Sequence, residues 1–231
     1  MLSRTGAAVV AEAVGTFLFF FVGIGAVVAG ADLVGVAFAH GLALAVLVSA
    51  LGAVSGGHFN PAVTVAVRLT GGIHWGHAVA YIVAQLVGAV AAGFAVKAVF
   101  PEAAFDAAGG GTPALGDGIT VAAGIGIEAL LTLLLVLTVF GTAIDPRAPK
   151  IGGLAIGLAV AADIMMGGPL TGAAMNPARW FGPAVASGSY DNWYIWWVGP
   201  LIGAIVGAAI YRYALAGEAE PDVTPATPEG Y

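Results

Sequence analysis

The chain contains the tripeptide Asn-Pro-Ala twice, and a glutamate precedes each copy at the same distance. The two copies begin at Asn60 and Asn176, and the glutamates are Glu12 and Glu128, so each glutamate lies 48 positions before its asparagine. The whole pattern repeats with an offset of 116 residues. A tripeptide alone is weak evidence, but two features repeated at one spacing indicate an internal duplication. We therefore expect the chain to fold as two related halves.

The composition of the chain predicts that both halves lie in a lipid bilayer. Hydrophobic residues make up 60% of the sequence and charged residues only 9%, whereas a soluble domain has about 25% charged residues. Six charge-poor windows each approach the roughly 20 residues that cross a bilayer core. These windows cover residues 7–31, 33–54, 78–99, 119–144, 151–170 and 193–215. The first window is longer than the core of a signal peptide, so we expect it to be retained as a membrane span.

The distribution of positive charges predicts how the spans are oriented. Five cations fall on one side of a six-span arrangement: Arg4, Arg68, Arg147, Lys150 and Arg212. Lys97 and Arg179 fall on the other side. Cytoplasmic loops carry the excess of Lys and Arg, so both termini are expected to be cytoplasmic.

Three spans in each half is an odd number, so the second half begins on the opposite side of the membrane from the first. Inverted repeats of this kind place substrate sites near the midplane, between the repeats. We predict one transmembrane domain over residues 1–216, with repeat one at about 7–99 and repeat two at about 119–215. The acidic residues 217–231 are expected to form a disordered cytoplasmic tail.

Both Asn-Pro-Ala segments lie between spans and have the features of helix starts. Asn is a preferred N-cap, and Pro suits the first helical turn. About ten residues separate each motif from Gly71 or Gly188, which gives a helix of about 15 Å, half the thickness of a bilayer core. The sequence therefore predicts an all-α membrane protein with six transmembrane helices and two re-entrant half-helices, arranged as inverted three-helix repeats.

Two half-helices that meet at the membrane centre would create a positive electrostatic focus there. Each helix N-terminus carries about half a positive charge, which repels cations and hydronium. The expected midplane residues are Asn60, Pro61, Ala62, Asn176, Pro177 and Ala178, and the two asparagine amides are expected to donate to a passing water. Non-helical backbone at this depth is tolerated where it lines a wet cavity. The carbonyls expected to accept from a file of water are those of Gly56, Gly57, His58, Gly172, Ala174 and Met175.

The segments Ser-Gly-Gly-His-Phe-Asn-Pro-Ala-Val-Thr at 55–64 and Gly-Ala-Ala-Met-Asn-Pro-Ala-Arg at 172–179 resemble the two signature loops of the aquaporins, the major intrinsic protein family. The resemblance extends over the chain up to about residue 216. It implies a selectivity filter of four residues, His40, Ile164, Ala173 and Arg179. It also implies that Glu12 and Glu128 support the two loops, and that the protein is a homotetramer with one pore in each subunit.

The filter residues resemble those of the tonoplast-type branch of the family, which is associated with water and, in several members, ammonia, urea or hydrogen peroxide. Glycerol facilitators tend to have Asp after the filter arginine and a basic residue four positions later. Trp180 and Ala184 stand at those positions, so glycerol is disfavoured as a solute.

Four other polar residues have more ordinary interpretations. His58 is expected to stabilise its loop and contribute a carbonyl, and His74 and His77 to anchor a helix end at the interface. Asp163 is expected to form an interhelical hydrogen bond, with a second hypothesis that it orients Arg179 or the outer loop.

These features together predict a passive, proton-excluding water channel that also admits small neutral solutes. A proton-coupled transporter remains an alternative, because it could also use inverted repeats and buried carboxylates. No nucleophile and base pair or metal-ligand cluster is recognisable, so we predict no enzyme activity, cofactor, metal or nucleic-acid partner. The Ala, Gly and Val bias suggests the plasma membrane of a prokaryote.

Overall fold

The computed structural model describes residues 3–149 and 151–216, and within these ranges the chain is helical without β-strands. Six helices are long and apolar enough to cross a membrane, as the sequence predicted. They are α1 (Arg4–Val28), α2 (Leu33–Ser55), α4 (Trp75–Val99), α6 (Val121–Val139), α7 (Gly152–Thr171) and α9 (Ile195–Ile210). One π-helical turn extends α6 to Ile144 and another extends α9 to Leu215. The predicted acidic tail lies outside the described residues.

The two predicted half-helices are α3 (Pro61–Leu69) and α8 (Pro177–Ser187). Their lengths of 9 and 11 residues correspond to about 14 to 17 Å. In α3 the side-chain oxygen of Asn60 accepts the N–H of Ala62 at 2.8 Å, and in α8 Asn176 accepts the N–H of Ala178 at 3.0 Å. Both asparagines are thus N-caps and both prolines occupy the first helical turn, which confirms the predicted helix starts.

Glycines at equivalent positions of the two halves allow the long helices to pack closely. Gly41 of α2 and Gly157 of α7, which are 116 residues apart, lie against each other, and a Cβ on Gly41 would be 2.5 Å from the carbonyl oxygen of Gly157. Gly88 of α4 packs on the backbone of α1, and Gly203 of α9 packs in the same way on the backbone of α6. Small residues at helix crossings are the usual means of tight packing in lipid, where burial of apolar surface gives no driving force. The same crossings recur in both halves, which supports the inverted repeat.

Contacts between loops show which chain segments share a side of the membrane. The hydroxyl of Thr5 lies 3.2 Å from His77, and Arg212 donates to the carbonyl of Thr70 at 2.8 Å. Arg147 donates to the carbonyl of Leu215 at 3.3 Å. These contacts place the start of α1, both ends of the α3–α4 connection, the α6–α7 connection and the end of α9 together.

The described cations are distributed over the two sides as expected. Arg4, Arg68, Arg147 and Arg212 belong to the side just defined, and Lys150 lies outside the described residues. On the opposite side, Lys97 donates to the carbonyl of Ala186 at 3.0 Å.

The connection over residues 101–118 has more structure than the loop expected from the sequence. It contains the short helix α5 (Glu102–Ala107) and a tight turn over Gly109–Gly111. All three glycines have positive φ angles, of 55°, 63° and 71°, which residues with a side chain rarely adopt. This turn brings Gly111 back toward the membrane interior.

We expect Gly203→Ala to destabilise the protein, because its Cβ would overlap the carbonyl oxygen of Ala129 in α6. Overpacking of this kind costs about 1 to 3 kcal/mol. Gly126→Ala is the matched control, since Gly126 lies in α6 with nothing within 4 Å of its added Cβ. The measurement is the thermal unfolding midpoint in detergent; equal midpoints for the two variants would contradict the assigned packing.

Candidate functional site

The first signature loop is held by a buried carboxylate on α1. Glu12, which is fully buried, accepts through one oxygen from the hydroxyl of Ser55 at 2.6 Å and the N–H of His58 at 3.0 Å. Its other oxygen accepts from the N–H of Phe59 at 2.7 Å and the side-chain amide of Gln85 at 2.8 Å. Four donors satisfy the charge in an environment that supplies little water.

The second loop is held in the same way by Glu128 of α6, which is also fully buried. One oxygen accepts from the hydroxyl of Thr171 at 2.7 Å and the N–H of Ala174 at 2.9 Å. The other accepts the N–H of Met175 at 2.7 Å. Each donor is offset by 116 residues from its counterpart around Glu12. The structure thus gives both glutamates the loop contacts expected of them.

Strained backbone immediately precedes both asparagines. Phe59 and Met175, again 116 residues apart, have positive φ angles of 45° and 53°. Such angles are costly for residues with large side chains and persist only where surrounding contacts hold them. The hydrogen bonds from these two N–H groups to Glu12 and Glu128 are those contacts.

The two loops meet through reciprocal hydrogen bonds, each from an asparagine side chain to a backbone carbonyl of the opposite loop. The amide nitrogen of Asn60 donates to the carbonyl of Met175 at 2.9 Å, and that of Asn176 donates to the carbonyl of Phe59 at 2.9 Å. An amide group has two N–H donors, so each asparagine retains one for a molecule in the cavity. Pro61, Ala62, Pro177 and Ala178 are buried directly behind the asparagines, in the first turns of α3 and α8.

One cavity of about 720 Å³ passes both asparagines. Five of the six residues expected to offer carbonyls line it: Gly56, Gly57, His58, Ala174 and Met175. Gly172 does not, because it packs on the connection before α6, where a Cβ would lie 2.8 Å from the Cα of Pro113. The carbonyl of Met175 is also already engaged by Asn60, so it is a weaker acceptor for a passing molecule than expected.

All four predicted filter residues line one end of this cavity: His40, Ile164, Ala173 and Arg179. The Nε of Arg179 donates to Nε2 of His40 at 2.9 Å. Because an arginine nitrogen only donates, Nε2 of His40 accepts, and its proton lies on Nδ1, which contacts the carbonyl of Val36 at 2.9 Å. His40 is therefore a neutral imidazole with both ring nitrogens occupied.

Sequence reasoning did not identify two residues that complete the site. Gly111 accepts from Nη1 of Arg179 at 2.9 Å and so fixes the guanidinium from the outer connection. The only sequence signal for it was the run of three glycines. Gln85 bridges Glu12 and Thr64, at 2.8 and 2.9 Å; a polar residue in the centre of an apolar span was its signal.

The remaining polar residues lie near the site or at its edges. His58 contacts the hydroxyl of Thr64 at 3.1 Å, in keeping with a role inside its loop. His74 and His77 lie edge to face at the start of α4. Asp163 is 2% exposed, and its Oδ2 has no hydrogen-bond partner within residues 3–149 and 151–216. The interhelical hydrogen bond expected of Asp163 is not found within these ranges.

A polar clasp closes the loop at the other end of the cavity, which Asp145 lines. Nε of Arg147 donates to Asp145 at 2.9 Å, and the hydroxyl of Tyr211 donates to it at 2.7 Å. These bonds hold the pKa of Asp145 well below its usual range, and the bond from Arg147 has the larger effect. The stability that a lowered carboxyl pKa contributes is present above the usual value and is lost only as the pH falls through the lowered one. The clasp therefore persists at physiological pH.

Comparison with known proteins identifies the family to which this fold and site belong. The family model described as major intrinsic protein matches residues 3–211. Aquaporin TIP4-4 of Zea mays is 42% identical over 219 residues, covering 88% of this chain and 84% of that protein. Aquaporin-8 of Mus musculus is 40% identical over 214 residues, covering 90% and 82%. The chain therefore belongs to the major intrinsic protein family, a family of multi-pass membrane channels and not of enzymes.

A solved structure supports the fold independently. The aquaglyceroporin from Plasmodium falciparum superimposes with a TM-score of 0.81 and covers 91% of this chain and 97% of its own, at 23% identity. At that identity the likeness shows the fold alone. The predicted aquaporin-like fold is thus confirmed.

We expect Glu128→Gln to loosen the second loop. A glutamine offers one acceptor oxygen and an amide that repels the N–H of Ala174 or Met175, so one buried donor loses its partner at a cost of about 1 to 3 kcal/mol. The thermal unfolding midpoint in detergent and the water permeability per assembled protein are both expected to fall. Glu102→Gln, at an exposed position in α5, is the control; identical behaviour of the two variants would contradict the role of Glu128.

Proposed function

We propose that the chain is a passive water channel that excludes protons and admits small neutral solutes such as ammonia, urea or hydrogen peroxide. The observation that carries this proposal is the pair of asparagine caps, which meet across one continuous cavity at the N-termini of two opposed half-helices. The names of the relatives, Aquaporin TIP4-4 and Aquaporin-8, support water as a permeant.

Proton exclusion follows from the electrostatics at the midplane. Two helix N-termini face the same point, so hydronium meets a positive potential there. The free N–H of each asparagine amide donates to the oxygen of a passing water, which orients that water's hydrogens away from the asparagines. A water held in this way cannot accept a proton from its neighbour while it crosses.

The filter suits small neutral molecules that can form hydrogen bonds. Because the ring nitrogens of His40 bond to Arg179 and Val36, the imidazole offers a solute no free donor. Arg179 keeps N–H groups that neither His40 nor Gly111 uses, and it adds a positive charge that opposes cations. Ile164 and Ala173 contribute apolar surface to the same cavity. Water, ammonia, urea and peroxide can each accept from the arginine.

Glu12 and Glu128 are poorly placed for proton-coupled transport. Glu12 accepts four hydrogen bonds and Glu128 accepts three, and two of the bonds to each carboxylate come from loop backbone. Protonation would break contacts that hold the strained loops. A supporting role agrees better with these bonds than a proton-carrying one.

Location and assembly complete the proposal. We place both termini on the cytoplasmic side on the basis of the cation distribution, and we propose a plasma membrane as the location. The relatives named above come from a plant and a mammal, so the prokaryotic source stays a prediction from composition. A homotetramer with one pore in each subunit is proposed from family membership.

Stopped-flow light scattering on proteoliposomes tests the central proposal. We expect osmotic water flow to rise well above that of empty liposomes, with a low activation energy, and to be independent of an imposed pH gradient. A pH-sensitive dye inside the vesicles should report no added proton flux. Water flow equal to that of empty liposomes would refute the proposal, and solute flux that follows the pH gradient would favour a transporter.

We expect Arg179→Val to widen the filter and remove its charge. Glycerol permeability relative to water should rise by about tenfold, which corresponds to the loss of one charged hydrogen-bonding group, and proton leakage should increase. Arg4→Gln is the control, since Arg4 is an exposed cation on the other side. Unchanged solute ratios in Arg179→Val would exclude Arg179 from the filter.

A further inference from the structure

The two halves support their loops with different side-chain chemistry. In the first half, Thr64 of α3 is the centre of a polar network, since it accepts from Gln85 at 2.9 Å and contacts His58 at 3.1 Å. The positions 116 residues after His58 and Thr64 are Ala174 and Trp180. The matching crossings at Gly88 of α4 and Gly203 of α9 are 115 residues apart, and this offset pairs Gln85 with Pro200. The polar network of the first half is therefore replaced by apolar residues in the second.

Trp180 occupies this apolar region and stacks on Trp196 of α9. Both rings are buried, their centroids are 5.6 Å apart, and their planes differ by 6°. Ala174, Ala184 and Ile195 complete the cluster around the two rings. Parallel aromatic pairs of this kind contribute about 0.5 to 1.5 kcal/mol beyond the burial of their area.

The stacked pair connects the two ends of the second loop. Trp180 directly follows the filter residue Arg179 in α8. Trp196 donates through its ring nitrogen to the carbonyl of Thr171 at 2.9 Å. The hydroxyl of Thr171 in turn accepts the N–H of the filter residue Ala173 at 3.2 Å. A chain of contacts thus links Trp180, the neighbour of Arg179, to Ala173 through Trp196 and Thr171.

We propose that Trp180 and Trp196 are positioning residues that set the separation of Ala173 and Arg179, and hence the size of neutral solute that the filter admits. This inference rests on the proposed channel function. It assigns to Trp180 the position that Thr64 holds in the first half, where the loop carries no filter arginine.

The two tryptophans contribute in different ways. The ring nitrogen of Trp180 is buried and has no hydrogen-bond partner within the described part of the chain, so its contribution lies in ring shape and stacking. The ring nitrogen of Trp196 is engaged by Thr171. Trp180→Phe should therefore preserve the filter, whereas Trp196→Phe should alter it because the bond to Thr171 is lost.

A second aromatic pair provides a matched control on the same two helices. Phe181 and Trp197 are the next residues along α8 and α9, and they meet edge to face at 6.4 Å. Both are only partly buried, and Trp197 has no side-chain hydrogen bond to the loop among the described contacts. Trp197→Phe should leave the filter unchanged.

The experiment measures urea and water permeability in proteoliposomes that contain equal amounts of assembled protein. Trp180→Ser and Trp196→Phe are expected to change the urea-to-water ratio by at least about threefold, the factor that corresponds to one aromatic pair or one hydrogen bond. Trp180→Phe and Trp197→Phe should keep the ratio of the unmodified protein. A general loss of structure would lower both permeabilities toward those of empty liposomes, so the ratio is compared only among variants whose water permeability stays above that level.

The outcomes separate this inference from the proposed function. If the unmodified protein conducts water but Trp180→Ser and Trp196→Phe both keep its ratio, the positioning role is overturned while the channel function stands. If Trp180→Ser does not assemble, Trp196→Phe and Trp180→Leu, which stays apolar but has no ring to stack, take its place with the same expected change. If Trp197→Phe shifts the ratio as much as Trp196→Phe, the specific pathway through Thr171 is also overturned.

Discussion

The structure depends on the burial of two carboxylates in the membrane interior. Glu12 and Glu128 are fully buried, and their charges are balanced by donors from the two re-entrant loops. Neither a bare carboxylate nor a non-helical loop is stable in lipid alone, because each would leave polar groups without partners. Each therefore stabilises the other. The positive φ angles at Phe59 and Met175 are maintained by the same hydrogen bonds. The direction in which the loop carbonyls point therefore also depends on the two carboxylates.

Much of this arrangement could be predicted from the sequence because its determinants are local or repeat at a fixed spacing. The six spans follow from hydropathy and the half-helices from Asn60 and Asn176 as caps, while the role of the two glutamates as loop supports came from the family resemblance. The resemblance to the aquaporin loops implied that His40 and Ile164 belong to the filter, and both line the cavity.

The rest could not be predicted because it depends on contacts between segments with no common pattern. Gly111 reaches Arg179 from a connection whose path is set by three glycines in unusual backbone conformations. The sequence shows the glycines but not the direction of the turn. Gly172 was expected to line the cavity because the rest of its loop does. It packs against Pro113 instead, because the outer connection passes next to Gly172. Long-range packing decides which side of an irregular loop faces a cavity.

Backbone symmetry and side-chain asymmetry have separate consequences. The asparagine caps, the carboxylates and the strained residues obey the repeat, so the midplane is electrostatically alike from both sides and opposes cations entering from either. The filter breaks the repeat, since Val63 stands where the second half has Arg179. A long, charged side chain needs fixed partners if it is to define a width, and His40 and Gly111 hold its guanidinium. Its backbone must be fixed as well. Thr64 and Gln85 serve a loop without such a residue, whereas the second half places the rigid rings of Trp180 and Trp196 behind the arginine.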